Sequence, residues 1–181
     1  AIGLAAAGFG LVTLGNNHAV DFGAVSLEDT LTALGRAGVP AVGAGRDEAS
    51  ARAPHVAEVR GRRVASLSYC GVDESVFADG ASPGVARATP EAVRDDVRRT
   101  VSAADFTLVF MHAGVEYTRE PTALQRAVAY AAIEAGADAV IGSHPHVLQR
   151  VEWYRERPIL YSLGNFVFDL DPDDLASFGS P

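Results

Sequence analysis

Four of the five histidines in this chain follow short apolar runs. Asn16, Asn17 and His18 close LVTLGNNH, His112 and Glu116 follow FTLVFM, and His144 and His146 follow AVIGS. A fourth run, PILYSLGNF, ends the same way and delivers Asn165. Neutral imidazole is a common ligand for transition metals, and an Asn carbonyl can add an oxygen. The chemistry these residues could share is metal binding. Apolar runs of this length bounded by Gly read as buried strands. In open α/β sheets ligands sit at the carboxyl ends of strands. The spacing therefore predicts one metal site at the rim of a sheet.

Each motif also has a plainer reading. In Gly142-Ser143-His144-Pro145-His146, the residue before Pro is pushed to extended geometry, so His144 is expected to be extended. Side chains two apart would then point one way, about 7 Å apart at Cα. That suits ligands of two metals, which lie roughly 3.5–4 Å apart in two-metal sites. A turn with two solvated histidines fits the motif equally well. Asn16 and Asn17 could simply shape a turn. Asp21 could orient the His18 imidazole or cap the next helix. His112 alone reads as a satisfied core residue, Glu116 as a loop residue, and Asn165 as a loop hydrogen bonder. Trp153 and Tyr154 read as packing, and His55 as surface. Convergence favours the site: several independent plain readings would all have to hold to explain the repeated strand-end placement.

Strands and helices must alternate to position these residues. Residues 1–8 read as the tail of a helix, and 11–14 as a strand. Ser26-Leu27-Glu28-Asp29 resembles a capping box, with Leu27, Leu31 and Leu34 striping the helix that follows. Val39–Val42 is a strand. His55–Val59 and Arg63–Tyr69 form a hairpin across Arg60-Gly61-Arg62. Residues 71–88 read as a loop, and Gly43-Ala44-Gly45 as a turn, since P-loop and GxGxxG spacings fail. Thr89-Pro90-Glu91 starts a helix running to about Ala104. Phe106–Met111 is a strand, Thr122–Ala135 a helix closed by Gly136, and Ala139–Ile141 a strand. Val147–Tyr154 and Pro158–Leu163 form a second hairpin. The fold class is α/β, a sheet layered with helices.

With 181 residues the chain can build one domain with a real core. Its net charge of −8, with Arg as the only strong base, argues against nucleic-acid binding. No apolar stretch is long enough to span a bilayer, and AIGLAAAGFGLV lacks the basic start of a signal peptide. Cys70 is the single cysteine, so no intrachain disulfide forms, and its apolar run reads as core.

Four stretches in order resemble the CapA family of capsule or poly-γ-glutamate biosynthesis proteins. They are Thr13–Gly23, His112–Tyr117, Gly142–Gln149 and Tyr161–Asp169. The resemblance covers nearly the whole chain. It implies a calcineurin-like metallophosphoesterase fold, an αββα sandwich with two divalent metals (Mn, Zn or Fe). By that resemblance Asn17, His112, His144 and His146 are metal ligands and His18 the catalytic, phosphate-contacting acid. Asn16, Asp21, Glu116 and Asn165 support the site or touch substrate. Two departures stand out. Ala113 replaces an aromatic residue usual in the family. The family's opening Gly-Asp strand and a later acidic segment, which supply carboxylate ligands, have no counterpart. The expectation is a single CapA-like domain over residues 1–181 that is a fragment, lacks its N-terminal strand or strands, and carries an incomplete ligand set. Its opening helix without a strand and its Asp-Pro-Asp-Asp close carry the same expectation.

Three functions compete. One is metal-dependent hydrolysis of a phosphoester. Another is capsule-polymer assembly, binding poly-γ-glutamate or its synthesis machinery, with a cell-surface or membrane-associated location when full length. The net negative charge disfavours direct contact with a polyanion. The third is hydrolysis of γ-glutamyl amide bonds by the same metals.

Overall fold

The strands that lead to the candidate residues are short and mostly parallel. A computed structural model describes residues 1–167. Phe168 and Asp169 of the fourth stretch, and the Asp-Pro-Asp-Asp segment, lie outside the described residues. In chain order the elements are α1 (Ile2–Ala6), β1 (Val12–Thr13), α2 (Gly23–Arg36), β2 (Ala41–Val42), β3 (Ala44–Gly45), α3 (Glu48–Ala51), β4 (His55–Val59) and β5 (Arg62–Cys70). There follow β6 (Gly84–Val85), α4 (Pro90–Thr100), β7 (Phe106–His112), α5 (Ala123–Ala135), β8 (Ala139–Ser143), β9 (Val151–Tyr154) and β10 (Arg157–Leu160).

Six strands form the main sheet in the order β4-β5-β7-β8-β10-β9. The central four are parallel, and β4 and β9 pair antiparallel at the two edges. Parallel pairing needs helical crossovers, and α5 supplies the one between β7 and β8. Helix α4 starts where Thr89 accepts the Ala92 N–H at 3.1 Å, with Pro90 at its first position. Helix α5 opens on a reciprocal Thr122–Gln125 box and ends at Gly136, whose φ of 112° a side chain would resist.

Alternation along the strands sorts side chains into two layers. Leu67, Tyr69, Val109, Met111, Val140 and Ile159 join Val93, Val97, Val128 and Ala132 in the core between sheet and helices. On the opposite face Ser66, Ser68 and Cys70 meet a second layer, made of the parallel β1–β2 pair and the antiparallel β3–β6 pair. Helix α2 closes that side: Leu27 packs with Ala44, Cys70, Val76 and Val85. Close approach of the layers needs small residues. A Cβ on Gly15 would lie 2.6 Å from Ser68 Oγ, and one on Gly43, at φ 88°, would lie 2.7 Å from Gly15 N. The layer order is helix, sheet, small sheets, helix.

Several local expectations are corrected. Helix α2 begins at Gly23, not Ser26, because the turn after His18 feeds directly into it with Phe22 as an uncapped N-terminus. Residues 71–88 are not all loop. They hold a 3₁₀ turn at Glu74–Val76 and strand β6, which pairs with Ala44–Gly45, the segment read as a turn. The regular β9–β10 pairing is shorter than expected, and beyond it the two arms stay joined through the Leu148–Leu163 bridge and the Gln149 N–H bond to the Ser162 carbonyl. Tyr154 does pack, stacked on Tyr130 at 4.4 Å, but Trp153 is 71% exposed. Strand alternation turns it to the sheet face away from the helices.

Candidate metal centre

The carboxyl ends of β1, β7 and β8 bring the nominated residues together. Strand β7 alternates inward Val109 and Met111 with outward Phe110 and His112, so its last residue faces the second layer. Residues Gly15–His18 turn over that face. Asn16 Oδ1 accepts the His18 backbone N–H at 2.9 Å, so Asn16 shapes the turn. Asn17 is thereby aimed at the sheet, and its Oδ1 lies 2.9 Å from His112 Nε2. His18 Nδ1 pairs with Asp21 Oδ2 at 2.9 Å, and its Nε2 lies 3.4 Å from Asn17 Nδ2.

Strand β8 delivers the other two histidines. The His144 ring lies 4.9 Å from the His112 ring and 6.3 Å from the His146 ring. His144 is not extended, as its place before Pro145 led one to expect. Its φ is 98° and that of His146 is 61°. The left-handed backbone turns both imidazoles into the cleft, a strained arrangement of the kind that packing must hold in place. Asn165 Oδ1 bonds His146 Nδ1 at 2.8 Å, and Tyr117 stacks on the His146 ring at 5.9 Å. Glu116 is exposed and acts on His144 through its charge. His55 sits apart on edge strand β4, half-buried rather than at the surface.

Burial dominates the electrostatics. It pushes the His112 imidazole down to about 4, helped by the charges of His144, His146 and His18. His144 is also lowered, by burial first, against the opposing pull of Glu116. Both rings are therefore neutral near pH 7, the form that ligates metal. Among the described residues no three His, Cys, Asp or Glu side chains close on one point. Asp21 is engaged by His18, so the cluster is imidazole and amide without a converging carboxylate.

Ser143 and Asp96 are among the residues that escaped the sequence reading. Ser143 Oγ lies 3.0 Å from His112 Nδ1 and orients that ring. Its position two residues from Pro145 in the same motif was visible, but its partner lies on another strand. Asp96, 3% exposed, accepts from Arg52 Nε at 2.9 Å, from Tyr69 Oη at 2.9 Å and from Arg99. Nothing in the helical pattern of α4 marks it as a hub. Ala113 is fully buried in the main core. Cys70 is likewise buried, and its thiol is pushed up to about 11.

The profile of the family described as "Bacterial capsule synthesis protein PGA_cap" matches residues 1–170. The chain is 37% identical over 172 residues to the capsule biosynthesis protein CapA of Bacillus anthracis, covering 90% of this chain and 41% of that protein. It is 38% identical over 163 residues to the PGA biosynthesis protein CapA of Bacillus subtilis, covering 89% and 43%. It thus spans less than half the length of these relatives. A Staphylococcus aureus crystal structure that bears a 5'-nucleotidase name superposes with TM-score 0.58 at 18% identity, over 93% of this chain and 41% of that one. Such likeness gives the fold alone: a layered α/β sandwich shared with that structure.

Proposed function

The chain belongs to the bacterial capsule synthesis protein family PGA_cap, and on that premise we propose that it serves capsule or poly-γ-glutamate biosynthesis through a metal-dependent hydrolytic site at the strand ends. The observation that carries the reading is the 2.9 Å approach of Asn17 Oδ1 to His112 Nε2, with His144 in ring contact. Neighbouring ligands on one ion, with bonds of about 2.0–2.2 Å, lie about 3 Å apart, so these two atoms fit a shared ion. The donors are nitrogen and oxygen without thiolate, which suits Mn²⁺, Zn²⁺ or Fe. Asn17, His112 and His144 would hold one ion and His146 would contribute to a second. They form an incomplete set that further oxygen ligands must close.

A bound ion would polarise a phosphoryl oxygen and supply hydroxide near neutral pH. His18 does the proton work. Asp21 holds its Nδ1, which aims Nε2 toward Asn17 at 3.4 Å, the side from which it would hand a proton to the leaving oxygen. Asn165 and Tyr117 keep the His146 ring in place. The substrate class is a phosphoester. The curated relatives are named for capsule and PGA biosynthesis, which favours a part in polymer assembly; a second hydrolytic reading is cleavage of a γ-glutamyl amide, since metal-activated water can attack an amide too. The whole protein would work beside the polymer-synthesis machinery at the cell surface or membrane. No helix among the described residues is long and apolar enough to cross a membrane. The deciding assay offers the Mn²⁺-supplied protein an aryl phosphodiester and poly-γ-glutamate in parallel. Release of aryl alcohol, lost in His18→Ala, supports the first reading; cleavage of polymer alone supports the second. No turnover of either removes the hydrolytic assignment.

A further inference from the structure

Behind the histidine loop lies a buried amide pair that the hydrolytic chemistry does not use. Gln125 is fully buried and Gln149 is 6% exposed. Gln125 Nε2 donates to Gln149 Oε1 at 2.9 Å and to the Tyr161 carbonyl at 3.3 Å. Its Oε1 accepts the Thr122 N–H at 2.9 Å, closing the start of α5. Gln149 Nε2 donates to the Thr118 carbonyl at 2.9 Å and to that of Glu120 at 3.4 Å. Four segments meet at these two side chains: the loop after β7, the start of α5, the loop after β8, and the end of β10.

The pair sits beside three non-glycine residues held in left-handed backbone. His144, His146 and Tyr117 all have positive φ, as does Gly114 at 127°. Tyr117 N–H donates to the Pro145 carbonyl at 2.9 Å, joining the two loops between the histidines. A Cβ on Gly114 would lie 2.8 Å from Gln125 Oε1 and 3.0 Å from Pro145 Cγ, so the pair packs directly behind Pro145. Strained, non-glycine backbone persists only where its surroundings over-determine it. The capping role of Gln125 explains its Oε1, but not why Gln149 reaches back to two carbonyls of the loop that bears Glu116 and Tyr117.

We propose that the Gln125–Gln149 pair is a positioning clamp, which holds the His144-Pro145-His146 turn and the Glu116–Tyr117 loop in register so that both imidazoles face the cleft. This rests on the proposed metal site for its purpose, but not for its existence. Gln149→Met keeps the side-chain volume and removes both donors. Two measurements separate the clamp from the metal reading. The first is amide hydrogen exchange without metal. The Tyr117 N–H should exchange at least about tenfold faster in Gln149→Met, while Val109 in the central strand is unchanged. The second is Zn²⁺ titration. The variant's affinity should fall about 10- to 100-fold, the usual effect of losing a group that orients ligands. Unchanged Tyr117 exchange overturns the clamp whatever the metal does. Faster exchange with no Zn²⁺ binding in either protein upholds the clamp and removes the metal site. Should Gln149→Met not fold, Gln149→Glu decides by the same readouts, because it keeps the acceptor for Gln125 Nε2 and loses only the donors to the Thr118 and Glu120 carbonyls.

Discussion

Asn17 Oδ1 lies 2.9 Å from His112 Nε2, although 95 residues separate the two in the chain. One comes from a turn after a two-residue strand of the second layer, the other from the last position of the central strand of the main sheet. This contact ties the two layers at the strand ends and defines where a ligand would be held.

Asn17→Asp replaces an amide by a carboxylate beside His112. A nearby negative charge favours the imidazolium, so the His112 pKa should rise from about 4 toward the ordinary histidine range. Divalent-metal affinity should rise with it. The His112 ring signal followed by NMR over a pH series reads the first effect directly. A titration that does not move would mean that Asn17 does not face His112 in solution.

Stability should depend on pH through the same ring. His112 is lowered from 6.5 to about 4 in the folded chain, chiefly by burial. Between those values the unfolded state binds the extra proton, so stability rises with pH across about 4 to 6.5 and is flat above for this group. The full shift sets an upper bound of about 3 kcal/mol. Urea unfolding at pH 4.5 and pH 7 should show the loss. His112→Phe should flatten the dependence, and an equally steep profile in that variant would place its source elsewhere.

Much of this was legible in the sequence. Thr89-Pro90 marked one helix start and Gly136 one helix end because caps are local chemistry. The four motifs marked the strand ends because apolar runs closed by Gly are also local. The turn of His144 was not legible. The rule for a residue before Pro points to extended backbone, whereas His144 has φ 98°, a conformation that local sequence alone does not select. Ser143, Gln125, Gln149 and Asp96 were equally hidden, since each acquires its role from partners far away in sequence.

Asp96 offers a stability test remote from the cleft. Its carboxylate is buried among Arg52, Arg99 and the Tyr69 hydroxyl, whose pKa is raised first by burial and then by the Asp96 charge. Asp96→Ala leaves Arg52 with Glu48 as its remaining acidic partner and the buried Tyr69 hydroxyl without its acceptor, and should cost about 1–3 kcal/mol. Metal affinity at low temperature should be unchanged. A shift of less than about 1 kcal/mol in urea unfolding would mean that the network is solvent-relaxed.

Gly142→Ala tests the register of the strand that bears the histidines. An added Cβ would fall 2.0 Å from the Tyr161 carbonyl oxygen, a backbone atom that cannot swing away. The pairing of β8 with β10 must shift, at a cost of at least about 1–3 kcal/mol. Thermal unfolding should show this, together with altered His144 and His146 ring signals.

The central claim is that the strand-end histidines, as a group, hold a divalent ion. The most direct measurement is bound-metal content by elemental analysis, after Mn²⁺ or Zn²⁺ loading and gel filtration, of the wild type, His144→Ala and His55→Ala. His55 lies on the far edge strand and serves as the control. The account predicts metal retained in the wild type and in His55→Ala, and sharply reduced in His144→Ala. Equal metal content in all three, or equal loss in both variants, would contradict it.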